Sequence, residues 1–147
     1  MVEHAARSKH HTGWAGALAV AAELSRREYD AAITLGNTPA LDLICSSPGR
    51  TSFTVQVKSL SAHNWVLIRK EHLTGLRRLD LYFVVVVVPN DVSEPFSFHI
   101  LTHAEVCELY EMQPKKRNDG KPLKPGMEGV AWADVAQYLG RWGKLPA

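Results

Sequence analysis

The stretch that most restricts the fold is Leu81-Tyr82-Phe83 followed by Val84 through Val88, a near-continuous apolar run ending at Pro89-Asn90-Asp91. A strand with one wet face alternates apolar and polar residues, and this one does not alternate. It reads as a central strand buried on both faces, which requires a layer on each side of a sheet. As a helix, the run from Leu81 to Pro89 is far too short to span a bilayer.

The neighbouring segments supply those layers. Residues 1 to about 11 are polar and read as a flexible N-terminus. A first helix is expected from Thr12 as N-cap, through Trp14, Leu18, Ala21, Ala22 and Ser25 on one face, to Arg27 or Glu28. Tyr29 to Thr34 is β-prone, and Gly36-Asn37-Thr38-Pro39 has loop composition. Trp65 to Ile68 predicts a short strand, and Glu71 to Leu79 fits either a short helix or an ordered connection. Phe96 to Leu101 predicts a strand beside the apolar one. Thr102 with Glu105 three residues on is a capping-box pattern, opening a helix that carries Val106, Leu109 and Tyr110. Gln113 to Gly129 is rich in Lys, Pro and Gly and reads as a long loop. A last helix is expected over about Ala131 to Arg141, with Trp132, Val135, Ala136 and Leu139 on its apolar side. A length of 147 residues fits one domain. The order of elements predicts an α/β fold over 1–147, a central mixed sheet flanked by helices.

Two polar interruptions carry the chemistry. Asp42 lies in Ala40-Leu41-Asp42-Leu43-Ile44, and Gln56 and Lys58 lie in Phe53-Thr54-Val55-Gln56-Val57-Lys58-Ser59. Side chains alternate along a strand, so Gln56 and Lys58 share the face that Val55 and Val57 avoid. Ser46-Ser47-Pro48-Gly49-Arg50 between them is a turn signal. With Gly49 near its centre, Asp42 falls opposite Gln56. A carboxylate, an amide oxygen and an ammonium then share one patch, suited to a hard cation and a phosphate. The plainer alternative is an edge lysine in a partly exposed salt bridge with Asp42, which contributes little.

Other residues narrow the choice. The net charge is +2 and the pI about 8.6, too mild to establish nucleic-acid binding. The positive charge is uneven, with Lys115, Lys116, Arg117, Lys121 and Lys124 crowding one stretch. That stretch reads as a solvated loop or, functionally, as phosphate contact along DNA. Cys45 and Cys107 fit no zinc spacing and read as buried free thiols, which suits a reducing cytoplasm. The N-terminus lacks the apolar core of a signal peptide. His99 and His103 are four apart but belong to a strand and a helix start, so no shared metal face is expected. His10-His11 reads as solvated. Trp65, Trp132 and Trp142 read as packing residues. There is no Gly-x-Ser-x-Gly elbow and no glycine-rich phosphate loop before a helix.

In this order of elements the chain resembles the PD-(D/E)xK nuclease superfamily, the restriction-endonuclease-like fold. The likeness covers roughly the first two-thirds of the sequence. Gln56-Val57-Lys58 resembles the Gln-x-Lys variant of the third motif, and Thr12-Gly13-x-x-Gly16 with Asp42-Leu43-Ile44 resembles small bacterial proteins of that group. The resemblance implies a three-layer α/β/α fold and magnesium- or manganese-dependent phosphodiester hydrolysis in DNA. It implies metal ligands at Asp42, Gln56 and the Val57 carbonyl, with Lys58 orienting or activating the attacking water. Glu23 is the candidate for the helix acid of such sites. A homodimer would place two sites on a duplex. The alternative from another class is a non-catalytic module of the same fold that binds nucleic acid or a protein partner.

Overall fold

The computed structural model describes residues 6–34, 42–113, 121, 124 and 126–147. In chain order these form α1 (Lys9–Arg26), β1 (Asp30–Thr34), β2 (Asp42–Ser46), β3 (Ser52–Leu60), β4 (Val66–Leu67), α2 (Lys70–Leu73), β5 (Leu81–Val87), β6 (Ser97–Thr102), α3 (His103–Met112), β7 (Gly129–Val130) and α4 (Trp132–Val135). Short 3-10 turns follow at Ala136–Tyr138 and Trp142–Lys144.

The apolar run becomes β5, with Phe83 through Val88 all buried. It lies inside a mixed sheet of order β1-β2-β3-β5-β6, in which only β3 and β5 run parallel. β4 and β7 make a separate two-stranded pair. Alternation along β5 builds two cores. Val84, Val86 and Val88 join Val20 and Leu24 of α1 and Leu43, Cys45, Val55 and Val57 of the hairpin. Leu81, Phe83 and Val85 face the other way, against Leu73, Val106, Leu109, Val66, Val130 and Val135. The result is the expected α/β architecture, a mixed sheet between helical layers, consistent with α/β/α. Among the described residues, no helix is long and apolar enough to cross a membrane.

Several local expectations are corrected. α1 begins a turn early, because Ser8 caps it by accepting from His11 N at 3.1 Å. Thr12 is instead buried within the helix and accepts from Arg7 Nε at 2.9 Å. His10 and His11 are therefore helical, though exposed. The buried face of α1 is Thr12, Gly16, Ala17, Val20 and Leu24, and Leu18 is 53% exposed. The helix turns its smallest residues inward because it lies very close to β3. A Cβ added at Gly16 would overlap Ser59 Oγ and come within 2.9 Å of Ser59 Cβ.

The last helix is also shorter than expected. α4 ends at Val135, and Gly140 takes a left-handed φ of 67° and donates to Phe98 O at 2.9 Å. That turn lets Leu139 bridge to His99, so the C-terminal segment shields the outer edge of β6. Farther on, Leu145 enters the first core and Ser47 Oγ donates to Ala147 O at 2.8 Å. Gly49 accommodates this approach, since a Cβ there would lie 2.6 Å from Ala147 O. The capping box at Thr102 and Glu105 forms as expected, and Cys45 and Cys107 are free and buried.

Two outcomes follow from the packing. Gly16→Ala should destabilise the fold by about 1–3 kcal/mol despite better helix propensity, because it overpacks Ser59. Combined with Ser59→Gly the loss should shrink, which urea unfolding of the single and double variants measures. The second concerns His99, buried in β6, whose Nδ1–H donates to Val85 O at 3.0 Å. Burial holds its pKa below the ordinary 6.5 despite that hydrogen bond, with His63 adding to the depression. Below pH 6.5 the unfolded chain takes up this proton more readily than the folded one, so its contribution to stability is complete above 6.5 and falls on acidification. Unfolding free energies between pH 8 and pH 5 should therefore drop more steeply for the wild type than for His99→Leu.

Candidate active site

β2 and β3 pair antiparallel with Asp42 directly opposite Gln56, the register expected from a turn centred on Gly49. The turn closes through Arg50 N to Ser47 O and Ser47 N to Thr51 O, both at 2.9 Å, with Arg50 at φ 69°. Leu43, Val55 and Val57 point into the core beneath α1. Alternation therefore turns Asp42, Gln56 and Lys58 to the opposite face. There they line one cleft of about 780 Å³. The N-terminal turn of α1, the segment from Ser59 through β4 to α2, and Gly126 and Glu128 complete its walls.

Burial makes the pair unusual. Gln56 is only 5% exposed. Asp42 Oδ1 and Gln56 Oε1 are both buried without a hydrogen-bond partner. A buried acceptor left unmatched costs about 1–3 kcal/mol, and two on facing residues form a ready oxygen site for a cation. Among the described residues, no three of His, Cys, Asp and Glu gather as a metal cluster. The unmatched oxygen donors there are one carboxylate oxygen of Asp42 and the amide oxygen of Gln56, and Val57 also lines the cleft. Oxygen donors of this kind suit magnesium or manganese.

Lys58 lies two residues along the same face and is half-buried. Burial pushes its pKa below the ordinary lysine value. The Asp42 carboxylate partly opposes this and the Arg69 guanidinium adds to it. No ion pair joins Lys58 to Asp42, so the plain salt-bridge reading of these two does not describe them. An ammonium held near a carboxylate but not bound to it remains free to meet a phosphate.

The cleft is rimmed by more positive than negative groups. Among the described residues, five cations line it, Arg7, Lys9, Lys58, Arg69 and Lys70, against three acids, Asp42, Glu71 and Glu128. Arg7 is occupied in structure, donating to Val88 O and Pro89 O at the end of β5. Arg69 pairs with Glu71 at 3.2 Å. Lys9 and Lys70 are exposed.

Some expected residues do not converge here. Glu23 forms ion pairs with Arg26 and Arg27, and those guanidiniums hold its carboxyl below the usual range. α1 lines the cleft through Lys9, Thr12 and Gly13, and Glu23 is ten residues beyond Gly13, about 15 Å along the axis. Lys115, Lys116 and Arg117 lie outside the described residues. Lys121 and Lys124 are exposed, on the approach to Gly126 and Glu128. His99 and His103 serve separate elements, as expected. Trp65 donates to Met127 O at 3.0 Å on the cleft wall. Trp132 stacks on His63, and Trp142 packs against Phe98 and Arg27.

His72 is the residue that sequence reasoning missed. It sits on α2 with its Nε2 3.4 Å from Gln56 Nε2. Burial lowers its pKa below 6.5; Glu71 opposes this, Lys58 and His103 reinforce it, and Asp42 opposes it weakly. The available signal was a titratable pair, Glu71-His72, just ahead of an apolar Leu73 in a segment of undecided structure.

Relieving one of the two unmatched acceptors should stabilise the chain. Gln56→Leu, measured by urea unfolding in the presence of a chelator, is expected to raise stability by about 1 kcal/mol or more. An unchanged or lowered stability would mean that the Gln56 oxygen is not under strain. Comparison with protein-family models, curated proteins and solved structures finds no match to this chain.

Proposed function

We propose that the chain is a metal-dependent nuclease acting on phosphodiester bonds, with DNA as substrate and Asp42, Gln56 and Lys58 as its catalytic residues. The observation that carries this reading is the facing pair of buried, partnerless oxygens on Asp42 and Gln56, with a desolvated lysine on the same face. Asp42 Oδ1, Gln56 Oε1 and the Val57 carbonyl would hold magnesium or manganese. When bound, such an ion would supply charge stabilisation at the phosphorus that one lysine cannot provide alone.

The chain's own residues do the rest. Lys58 donates to a non-bridging phosphate oxygen or holds the attacking water. Its depressed pKa brings it nearer to proton exchange at working pH. Lys9 and Lys70 at the rim take the adjacent phosphates as sequence-blind contacts, and Lys121 and Lys124 extend the basic path. The walls of the cleft limit bulk water around the phosphorus, which strengthens each of these interactions. A homodimer would bring a second site to the opposite strand of a duplex.

The test is cleavage of plasmid and single-stranded DNA with magnesium or manganese. Asp42→Ala and Lys58→Ala should each reduce the rate about 100-fold or more, consistent with loss of an electrostatic or acid–base group. Cleavage that both substitutions leave untouched would sink the assignment. The single carboxylate favours a second reading, a nuclease-fold module that binds without cutting. Salt-dependent DNA binding with no cleavage under either ion would favour that module.

A further inference from the structure

Of the three acids lining the cleft among the described residues, Asp42 is the one opposite Gln56 on the sheet, where a second carboxylate would grip a cation more firmly, and the structure offers a different third donor. His72 Nε2 faces the Gln56 amide nitrogen at 3.4 Å. An amide nitrogen can only donate, so this imidazole nitrogen carries a lone pair and the ring proton lies on Nδ1. That is the tautomer in which histidine ligates a metal through Nε2.

The imidazole is held in place from behind. His103 Nδ1 accepts from Arg78 N at 2.7 Å, which leaves its Nε2–H to donate to His72 O at 2.7 Å. Cys107 Sγ also donates to His72 O at 3.5 Å, and the His72 ring packs edge-on against Phe83. The four-residue α2 is thereby fixed by α3 at the residue whose side chain reaches Gln56.

Gln56 can present either end of its amide. A half-turn about its last torsion exchanges oxygen and nitrogen, placing the now partnerless Oε1 about 3.4 Å from His72 Nε2. With the ring proton kept on Nδ1, two lone pairs so placed are matched by a cation between them; the ion-free chain can instead carry that proton on Nε2 and donate it to Oε1. Bonds of about 2.1 Å set neighbouring ligand atoms about 3.0 Å apart in an octahedron and about 3.4 Å in a tetrahedron. The observed spacing suits two ligands of one ion.

We propose that His72 Nε2 joins Asp42 and Gln56 as a third protein ligand, making a mixed nitrogen–oxygen site for a first-row transition ion in preference to magnesium. Imidazole favours transition ions, whereas magnesium favours oxygen and water. This rests on the reading of Asp42 and Gln56 as a metal site and specifies its metal. His72 is thereby a ligand, and His103 and Cys107 are positioning residues.

Manganese is the probe. The wild-type chain, titrated calorimetrically with manganese chloride and with magnesium chloride, should bind manganese more tightly. His72→Ala should weaken manganese binding about tenfold or more and leave magnesium within about twofold. Electron spin-echo spectra of the manganese-loaded wild type should carry a nitrogen coupling that changes when histidine is labelled with nitrogen-15. This readout needs no variant to fold. Binding of both ions without that coupling, and unaffected by His72→Ala, would overturn the histidine ligand and leave an oxygen-only site standing. Binding of neither ion, alone or with DNA, would overturn both.

Discussion

β3 is bonded on both sides, antiparallel to β2 and parallel to β5, and everything at the cleft follows from its register. Val55 and Val57 fill the core beneath α1, which leaves Gln56 and Lys58 no face but the other. A slip of one residue would drive an ammonium and an amide between Val20 and Leu24 and expose two valines. Burying an unpaired charge there would cost far more than the hairpin could recover. The site therefore inherits its geometry from apolar packing. No contact among Asp42, Gln56 and Lys58 is required to bring them together.

The two sides of the sheet are covered unequally, and that difference makes the cleft. α1 (18 residues) lies across one side, close enough for Gly16 to sit against Ser59. On the other side, α3 and α4 cover the sheet near β5 and β6, while among the described residues β3 is met by the four-residue α2 and the short β4–β7 pair. Such small pieces cannot seal a sheet, so a cleft remains on this side of β3, with Asp42 and Gln56 among its lining residues. They also cannot hold themselves in place. The His103 and Cys107 bonds to the His72 carbonyl supply an anchor that four helical residues lack.

Residues whose environment is set by neighbours in sequence were legible from it. The β5 run, the turn between Asp42 and Gln56, and the Thr102 capping box all depend on local pattern, and each forms as read. Residues set by distant partners were not. Thr12 looks like an N-cap until Arg7, itself anchored on Val88 O and Pro89 O beyond β5, engages its hydroxyl. Leu18 looks like core until the closeness of β3 selects Gly16 and Ala17 instead. The last helix looks continuous until Gly140 turns the chain back to β6. His72 belongs with these, since its meeting with Gln56 depends on the path from β4 through α2 and on anchors in α3.

The charge pattern of the cleft gives the proposed chemistry an order. Before any ligand arrives, Lys58 is desolvated and two oxygens are unmatched, so the free chain is electrostatically dissatisfied in both senses. A cation at Asp42 and Gln56 would match the oxygens but, through its own charge, further disfavour the ammonium of Lys58. A phosphate alone would satisfy Lys58 and the rim lysines but press its charge against Asp42. Together each offsets the conflict the other creates, so cation and phosphate should bind with positive coupling. On this reading a single carboxylate is no defect. It keeps the affinity for the ion conditional on the substrate, because the phosphate supplies the negative charge that a second acid would otherwise provide.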